Sequence, residues 1–238
     1  HQVSLFGDIE DAGPAVSLVK VPVWSDRERL QNEKLALGYY LSGHPFASYE
    51  DELRSFVTTR LDQLTPQAYP VLLAGIIHST RIQMTRRGRM AVVMLDDGKA
   101  RIELTVFNEL FEQHRPLLKD DQLLIVEGKV AYDEFSGSLR VSAEKLFDLH
   151  GARSCYARSI RITCNGDSSG RKLQELLQPY RSGKCPVQIV YSSKGALCEI
   201  DLGEAWRVDP HDELIERLGE WLKPENVKVL YQPSAAYH

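Results

Sequence analysis

Cysteine is scarce: Cys155, Cys164, Cys185 and Cys198 are the four in 238 residues, and no two form a C-x-x-C pair. That pattern excludes a disulfide framework and the common zinc ligand sets, and it fits a reducing cytoplasm. No apolar run approaches the roughly 20 residues of a membrane-crossing helix, and no basic-then-apolar leader opens the chain. The first residue is His1, as expected of a piece of a longer protein. Catalytic signatures are also missing. The histidines (1, 44, 78, 114, 150, 211 and 238) include no i, i+4 pair, and no G-x-S-x-G, G-x-x-x-x-G-K-[ST] or H-E-x-x-H occurs. Asp96-Asp97 and Asp120-Asp121 read as turn residues, where a carboxylate bonds its own backbone. Bond-making chemistry by this chain alone is therefore not expected, nor is a metal or other cofactor within it.

One-sided charge is missing as well. Lys and Arg number 29 against 33 Asp and Glu, a formal net charge of −4, so no strongly basic domain is present. What exists is a local stripe: Arg81, Arg86, Arg87, Arg89, Lys99 and Arg101 stand against Asp96 and Asp97 between residues 81 and 101. Such a stripe suits a weak phosphate contact better than tight, sequence-specific DNA binding.

The expected fold class is α+β and multi-domain: a short helical segment, a five-stranded OB-fold barrel and a small C-terminal α/β sandwich. Residues 1–20 read as a flexible peptide and linker, punctuated by Gly7, Gly13 and Pro14. Residues 21–66 read as helical. Ser25 and Glu28 make a capping box, and Gly43-His44-Pro45 stops the helix. A second helix is expected over about 46–56. Residues 67–150 read as strands with one helix. Ile102, Leu104 and Val106 alternate with Arg101, Glu103, Thr105 and Phe107. Asn108 is expected to cap a helix running to about Leu118. Three strands, a helix and two strands are the element order of the OB barrel. Residues 151–238 read as a separate α+β module, with a strand over Ser159–Cys164, a helix from Arg171, a hairpin around Ser193-Lys194-Gly195, an edge at Trp206-Arg207-Val208, a helix from Asp209 or Pro210, and a last strand from Val227. Trp206 and Trp221 are expected to anchor its core, and the cysteines to act as small apolar side chains.

Two groups of residues could carry function. Leu5 and Phe6 adjoin in a segment too polar to bury them. Each is worth about 1.5–3 kcal/mol on burial, and Gln2 could add hydrogen bonds. Either a partner takes them or they dock on the chain's own helices. In the barrel, Arg86, Arg87 and Arg89 fall on the first hairpin loop, and Phe135, with Tyr132 nearby, on the last. OB folds clamp single strands between such loops, with aromatics stacking on bases. The alternative is a solvated hairpin with Phe135 tucked into the rim, and Glu103 on the outer face argues against a strong site.

Residues 32–46, NEKLALGYYLSGHPF, resemble the E-x-x-x-L-G-x-Y-L-S-G-H-P stretch of the bacterial replicative DNA polymerase III alpha subunits. Gln2-Val3-Ser4-Leu5-Phe6 resembles that family's internal clamp-binding pentapeptide. Thr85-Arg86-Arg87-Gly88, Leu95-Asp96-Asp97, Glu127-Gly128-Lys129-Val130 and Asp133-Glu134-Phe135-Ser136-Gly137 resemble its OB domain, and Trp206-Arg207-Val208 its extreme C-terminal domain. The resemblance implies a non-catalytic C-terminal region of a DNA-directed DNA polymerase, whose catalytic residues and Mg²⁺ lie upstream. It implies three partners: the sliding clamp, through Gln2, Ser4, Leu5 and Phe6; single-stranded DNA near the OB domain, for which the stripe and loop residues Arg81, Arg86, Arg87, Arg89, Lys99, Arg101, Tyr132 and Phe135 are the candidates; and the clamp-loader tau subunit, through the C-terminal domain. Residues 232–238 match no family pattern. A stand-alone OB-fold module binding single-stranded nucleic acid is the competing reading.

Overall fold

The computed structural model describes residues 23–86, 88–133, 137–165, 169–193 and 196–232. They belong to two compact units, 1–41 and 42–238. Among the described residues, no helix is long and apolar enough to cross a membrane.

In the first unit, helix α1 (Asp26–Leu37) is fixed at both ends by its own sequence. The Ser25 hydroxyl accepts from the Glu28 N–H at 3.3 Å, and the Glu28 carboxylate accepts from the Ser25 N–H at 2.9 Å. This is the expected capping box. Gly38, at φ +81°, takes the left-handed cap position and donates its N–H to the Lys34 carbonyl. Beyond it, the Leu41 N–H donates to the Glu33 carboxylate at 2.8 Å. Glu33 and Gly38 thus shape the chain's exit from the helix.

The second unit begins at Ser42 and includes helix α2 (Ala47–Leu53). A closed barrel follows, in the order β1 (Val71–Thr85), β2 (Gly88–Asp96), β3 (Arg101–Val106), β5 (Leu139–Phe147), β4 (Leu123–Tyr132). All its pairings are antiparallel except β3 with β5. Alternate residues fill the interior; Leu73, Ile77, Val93, Leu104, Val126 and Val141 are fully buried. At Gly128 the β4–β5 register shifts, and an added Cβ would meet the Ser142 carbonyl oxygen at 2.7 Å, so the close strand approach requires glycine.

Helix α3 (Asn108–His114) lies between β3 and β4 and plugs the barrel with Phe111. Two expectations change here. Phe107 is the N-cap, so Asn108 is already helical; its side chain lies against Gly88, where a Cβ would come within 2.7 Å of it. The helix also stops at His114, and a 3-10 turn covers Arg115–Leu117, because Pro116 has no N–H to continue the α ladder. Thr105, expected to point outward, is buried on that outer face.

A four-stranded sheet follows in the order β8 (Ala196–Asp201), β7 (Val187–Ser193), β6 (Ala157–Asn165), β9 (Val227–Tyr231). Helices α5 (Gly170–Leu177) and α6 (Asp212–Leu222) pack Leu177, Leu214 and Leu218 on Ile160 and Ile162. Trp206 and Trp221 are partly buried against this core. The expected edge at Trp206 is a 3-10 turn, Glu204–Trp206, followed by one isolated bridge from Val208 to Cys185. Helix α6 starts at Asp212, with His211 as its cap, not at Asp209 or Pro210. Cys164 and Cys185 are buried, and burial pushes the Cys185 thiol up to about 11. Cys155 and Cys198 are exposed, so the small-apolar role holds for only half of the four.

An unexpected helix, α4 (Leu149–Tyr156), links barrel and sheet, with Asp148 accepting from the Gly151 N–H at 2.7 Å as its cap. It joins α2 and β9 in an apolar cluster of Leu53, Phe56, Ala74, Ile125, Ala152 and Tyr231. Buried in the same region is Arg153. Its Nε and Nη2 donate to both Glu52 oxygens at 2.7 and 2.8 Å, its Nη1 donates to Asp212, and the Tyr231 hydroxyl donates to Glu52. Burial opposes the Arg153 charge, yet the Glu52 hydrogen bonds and both carboxylates outweigh it and hold the guanidinium more firmly charged than usual.

Candidate nucleic-acid interface

Strand β1 outruns the barrel. Its first seven residues are largely buried, whereas its last five, Arg81 to Thr85, are exposed and pair with the start of β2. The turn closes with the Thr85 hydroxyl donating to the Gly88 carbonyl at 2.8 Å. Arg86 is exposed at this turn, and Arg87 lies outside the described residues. Arg89 turns back to Glu112 on α3 at 3.0 Å.

Cross-strand register places Ser79, Met94, Glu103 and Arg140 in one row across β1, β2, β3 and β5. Ile102 and Leu104 face inward, so Glu103 and its row face outward. On this outer face Glu103 is held from both sides: Arg140 Nη2 approaches at 3.0 Å and Arg81 Nη2 at 3.6 Å. Arg140 also reaches Asp133 at 3.3 Å. Glu103 is 27% exposed, Arg81 66% and Arg140 45%, so solvent and solutes reach all three. The face lies between the β1–β2 hairpin and the β4–β5 hairpin. Tyr132, at the end of β4, is exposed, and Phe135 lies outside the described residues.

Lys99 and Arg101 do not join this group. They sit at the far end of β2, around the β2–β3 turn, roughly 20 Å from Arg89 at about 3.3 Å per strand residue. Asp96 accepts from the Gly98 N–H at 2.7 Å, and Asp97 accepts from the Lys99 and Ala100 N–H groups at 2.9 and 2.8 Å. Both carboxylates bond the backbone of the turn, as expected, although Asp96 is itself the last residue of β2. Asp96 also takes Arg101 Nε at 2.6 Å and has His44 Nε2 at 3.5 Å. Burial works to raise the Asp96 carboxyl, but the Gly98 N–H, the Arg101 guanidinium and His44 hold it below the usual carboxylate range. His44, expected only as a helix stop, packs its ring on this turn: a Cβ at Gly98 would sit 3.1 Å from it.

The stripe read along the chain is thus two separate places in space. Arg81 and Arg86 border the open face, while Arg101 is committed to the β2–β3 turn. Arg140 belongs to the face although it lies far outside the stripe. Its signal was available in the sequence, because an OB order sets β5 beside β3 and Arg140 alternates with the buried Val141. Gln2, Ser4, Leu5 and Phe6 lie outside the described residues. Among the described residues, no group of three or more His, Cys, Asp or Glu is placed to hold a metal ion.

Residues 172–222 match the family described as DNA polymerase III subunit alpha, C-terminal domain, and residues 71–149 match the OB-fold nucleic acid binding domain family. The DNA polymerase III subunit alpha of Pasteurella multocida (strain Pm70) is 34% identical over 240 residues, covering 97% of this chain and 21% of that protein. Its counterpart in Pseudomonas aeruginosa is 39% identical over 218 residues, covering 90% and 18%. Among solved structures, the second OB-fold domain of replication protein A from Methanococcus maripaludis superimposes at a TM-score of 0.31 and 18% identity, over 38% of this chain and 95% of that one. The chain spans about a fifth of the length of the curated relatives it matches.

Proposed function

We infer, from the premise that this chain belongs to the C-terminal region of the DNA polymerase III alpha subunits, that it works by attachment and not by chemistry. Its parent is a DNA-directed DNA polymerase of replication, whose Mg²⁺-dependent nucleotidyl transfer is carried out by residues elsewhere in the longer protein. The match over almost the whole chain carries this reading. Within it, Gln2, Ser4, Leu5 and Phe6 bind the sliding clamp, the barrel contacts single-stranded template, and residues 151–238 bind the clamp-loader tau subunit.

The physical gain is proximity. A clamp encircling DNA keeps the polymerase close, so rebinding to template becomes intramolecular and is set by effective concentration. A short apolar peptide keeps each contact exchangeable, because ordering it offsets part of the roughly 1.5–3 kcal/mol that each buried side chain contributes. The test is clamp binding by the 238-residue chain in surface plasmon resonance. Leu5→Ala with Phe6→Ala should abolish it while leaving the circular dichroism spectrum unchanged; undiminished affinity rejects the tether.

A second reading, a self-sufficient binder of single-stranded nucleic acid, is favoured by the OB-family match at 71–149 and by the exposed hairpin arm. It predicts oligonucleotide binding with no dependence on a clamp.

A further inference from the structure

We propose that Glu103 is a built-in counter-ion that occupies the strand-binding arginines of the barrel and sets how weakly this face holds a single strand. The inference rests on the reading of the barrel as a single-strand contact and deepens it.

The geometry points to competition. A phosphate entering the face between the two hairpins meets Arg81 and Arg140. Both guanidinium groups already point at one carboxylate, at 3.6 and 3.0 Å. A carboxylate and a phosphate offer an arginine fork the same charge-assisted acceptors. Binding a strand therefore means replacing one anion by another, or bringing a phosphate beside Glu103 at a cost in repulsion. Either way Glu103 lowers affinity. Its position argues against a role in holding the fold. It faces outward from a strand whose inward neighbours, Ile102 and Leu104, are buried, and exposed pairs of this type contribute only about 0–1 kcal/mol to stability. Arg89 is likewise occupied, by Glu112 at 3.0 Å. Arg81, Arg89 and Arg140 are thus matched within the molecule, while Arg86 stays exposed at the turn.

Such an arrangement suits a polymerase that must slide. A strand-binding face with unmatched arginines would hold template tightly and slow translocation, whereas a matched one grips only where the strand is presented to it at high local concentration.

The experiment is fluorescence anisotropy of labelled oligothymidylate with the whole 238-residue chain, as wild type, Glu103→Gln and Glu103→Ala, from low to moderate salt. Both variants should bind about three- to tenfold more tightly than wild type at low salt, with the gain shrinking as screening rises. Each additional phosphate engaged should steepen the log–log salt slope by about 0.7. Equal or weaker binding by both variants, beside measurable wild-type binding, overturns the counter-ion role and leaves the single-strand reading standing. Absence of binding by wild type and both variants overturns the two together. An unchanged thermal midpoint confirms that the variants report on the surface and not on the fold.

Discussion

Glu103 holds Arg81 and Arg140 on the outer face of the barrel, and Arg153 holds Glu52 and Asp212 where α2, α4 and α6 meet. The side chains are of the same types; the solvent is not. Arg153 is 6% exposed, against 66% and 45% for the barrel pair. In water, an ion pair is a loose association that another anion can replace. Where one member lies out of water, as Arg153 does, the pair must stay closed, because the separated guanidinium would be left charged in a poor dielectric, even though Glu52 and Asp212 are themselves 25% and 55% exposed. The exposed cluster can therefore serve as a binding surface. The buried one cannot; it fixes the barrel against the four-stranded sheet.

Removing Arg153 is the most severe way to test that contrast. Arg153→Ala removes the fork on Glu52 and the contact to Asp212; because those carboxylates are 25% and 55% exposed and can be solvated, unfolding in urea should lose about 2–3 kcal/mol, short of the cost of stranding a fully buried charge. Arg153→Lys keeps the charge but not the fork that meets both Glu52 oxygens, and should recover only part of the loss. A loss below about 1 kcal/mol in Arg153→Ala would make the two clusters equivalent and end the comparison. The opposite manipulation is Arg81→Gln with Arg140→Gln on the open face, which removes the charges without crowding new carboxylates beside Glu103 and Asp133. Oligothymidylate binding should weaken at least tenfold, about 1.4 kcal/mol, while stability in urea stays within about 0.5 kcal/mol of wild type. Coupled losses of binding and stability would show that the face is structural after all.

How these clusters could be read from sequence differs in the same way. Local rules located the barrel: the period-two pattern of Ile102, Leu104 and Val106, the turn acids Asp96 and Asp97, and the Ser25–Glu28 box each act within a few residues. Arg140 needed one further step, the pairing of β5 with β3 that the OB order implies. The buried cluster had no such handle. Glu52 and Arg153 are separated by 101 positions. The helix carrying Arg153, LHGARSCY, has a glycine and four weaker helix formers, His150, Ser154, Cys155 and Tyr156, and is not expected from the sequence. Its formation depends on packing against α2 and β9, and tertiary contacts of that kind leave no periodic trace. The apolar peptide around Leu5 and Phe6 was legible only as a pattern, and it lies outside the described residues.

Between the two extremes stands Asp96, 10% exposed, with Arg101 at 56%. It tests whether burial of one partner alone is enough to make an ion pair structural. The Asp96 carboxyl is held below its ordinary range by the Gly98 N–H, Arg101 and His44 against the opposing effect of burial. The folded state therefore favours the charged form. That contribution to stability is complete above the ordinary carboxylate pKa and is lost as pH falls through the lowered folded value. Asp96→Asn cannot titrate, so wild type should exceed it in stability at pH 7, and the gap should close as pH falls below the ordinary carboxylate value of about 4. The expected effect is smaller than that of the Arg153 or the Arg81 and Arg140 substitutions, because the Asn side chain can still accept from Gly98. Urea unfolding across that pH range decides the matter. A gap that stays constant to pH 2 would mean that the β2–β3 turn is held by hydrogen-bond geometry alone. In that case, burying one member of a pair does not commit its charge, and the boundary between exchangeable and fixed ion pairs in this molecule lies nearer to Arg153 than to Asp96.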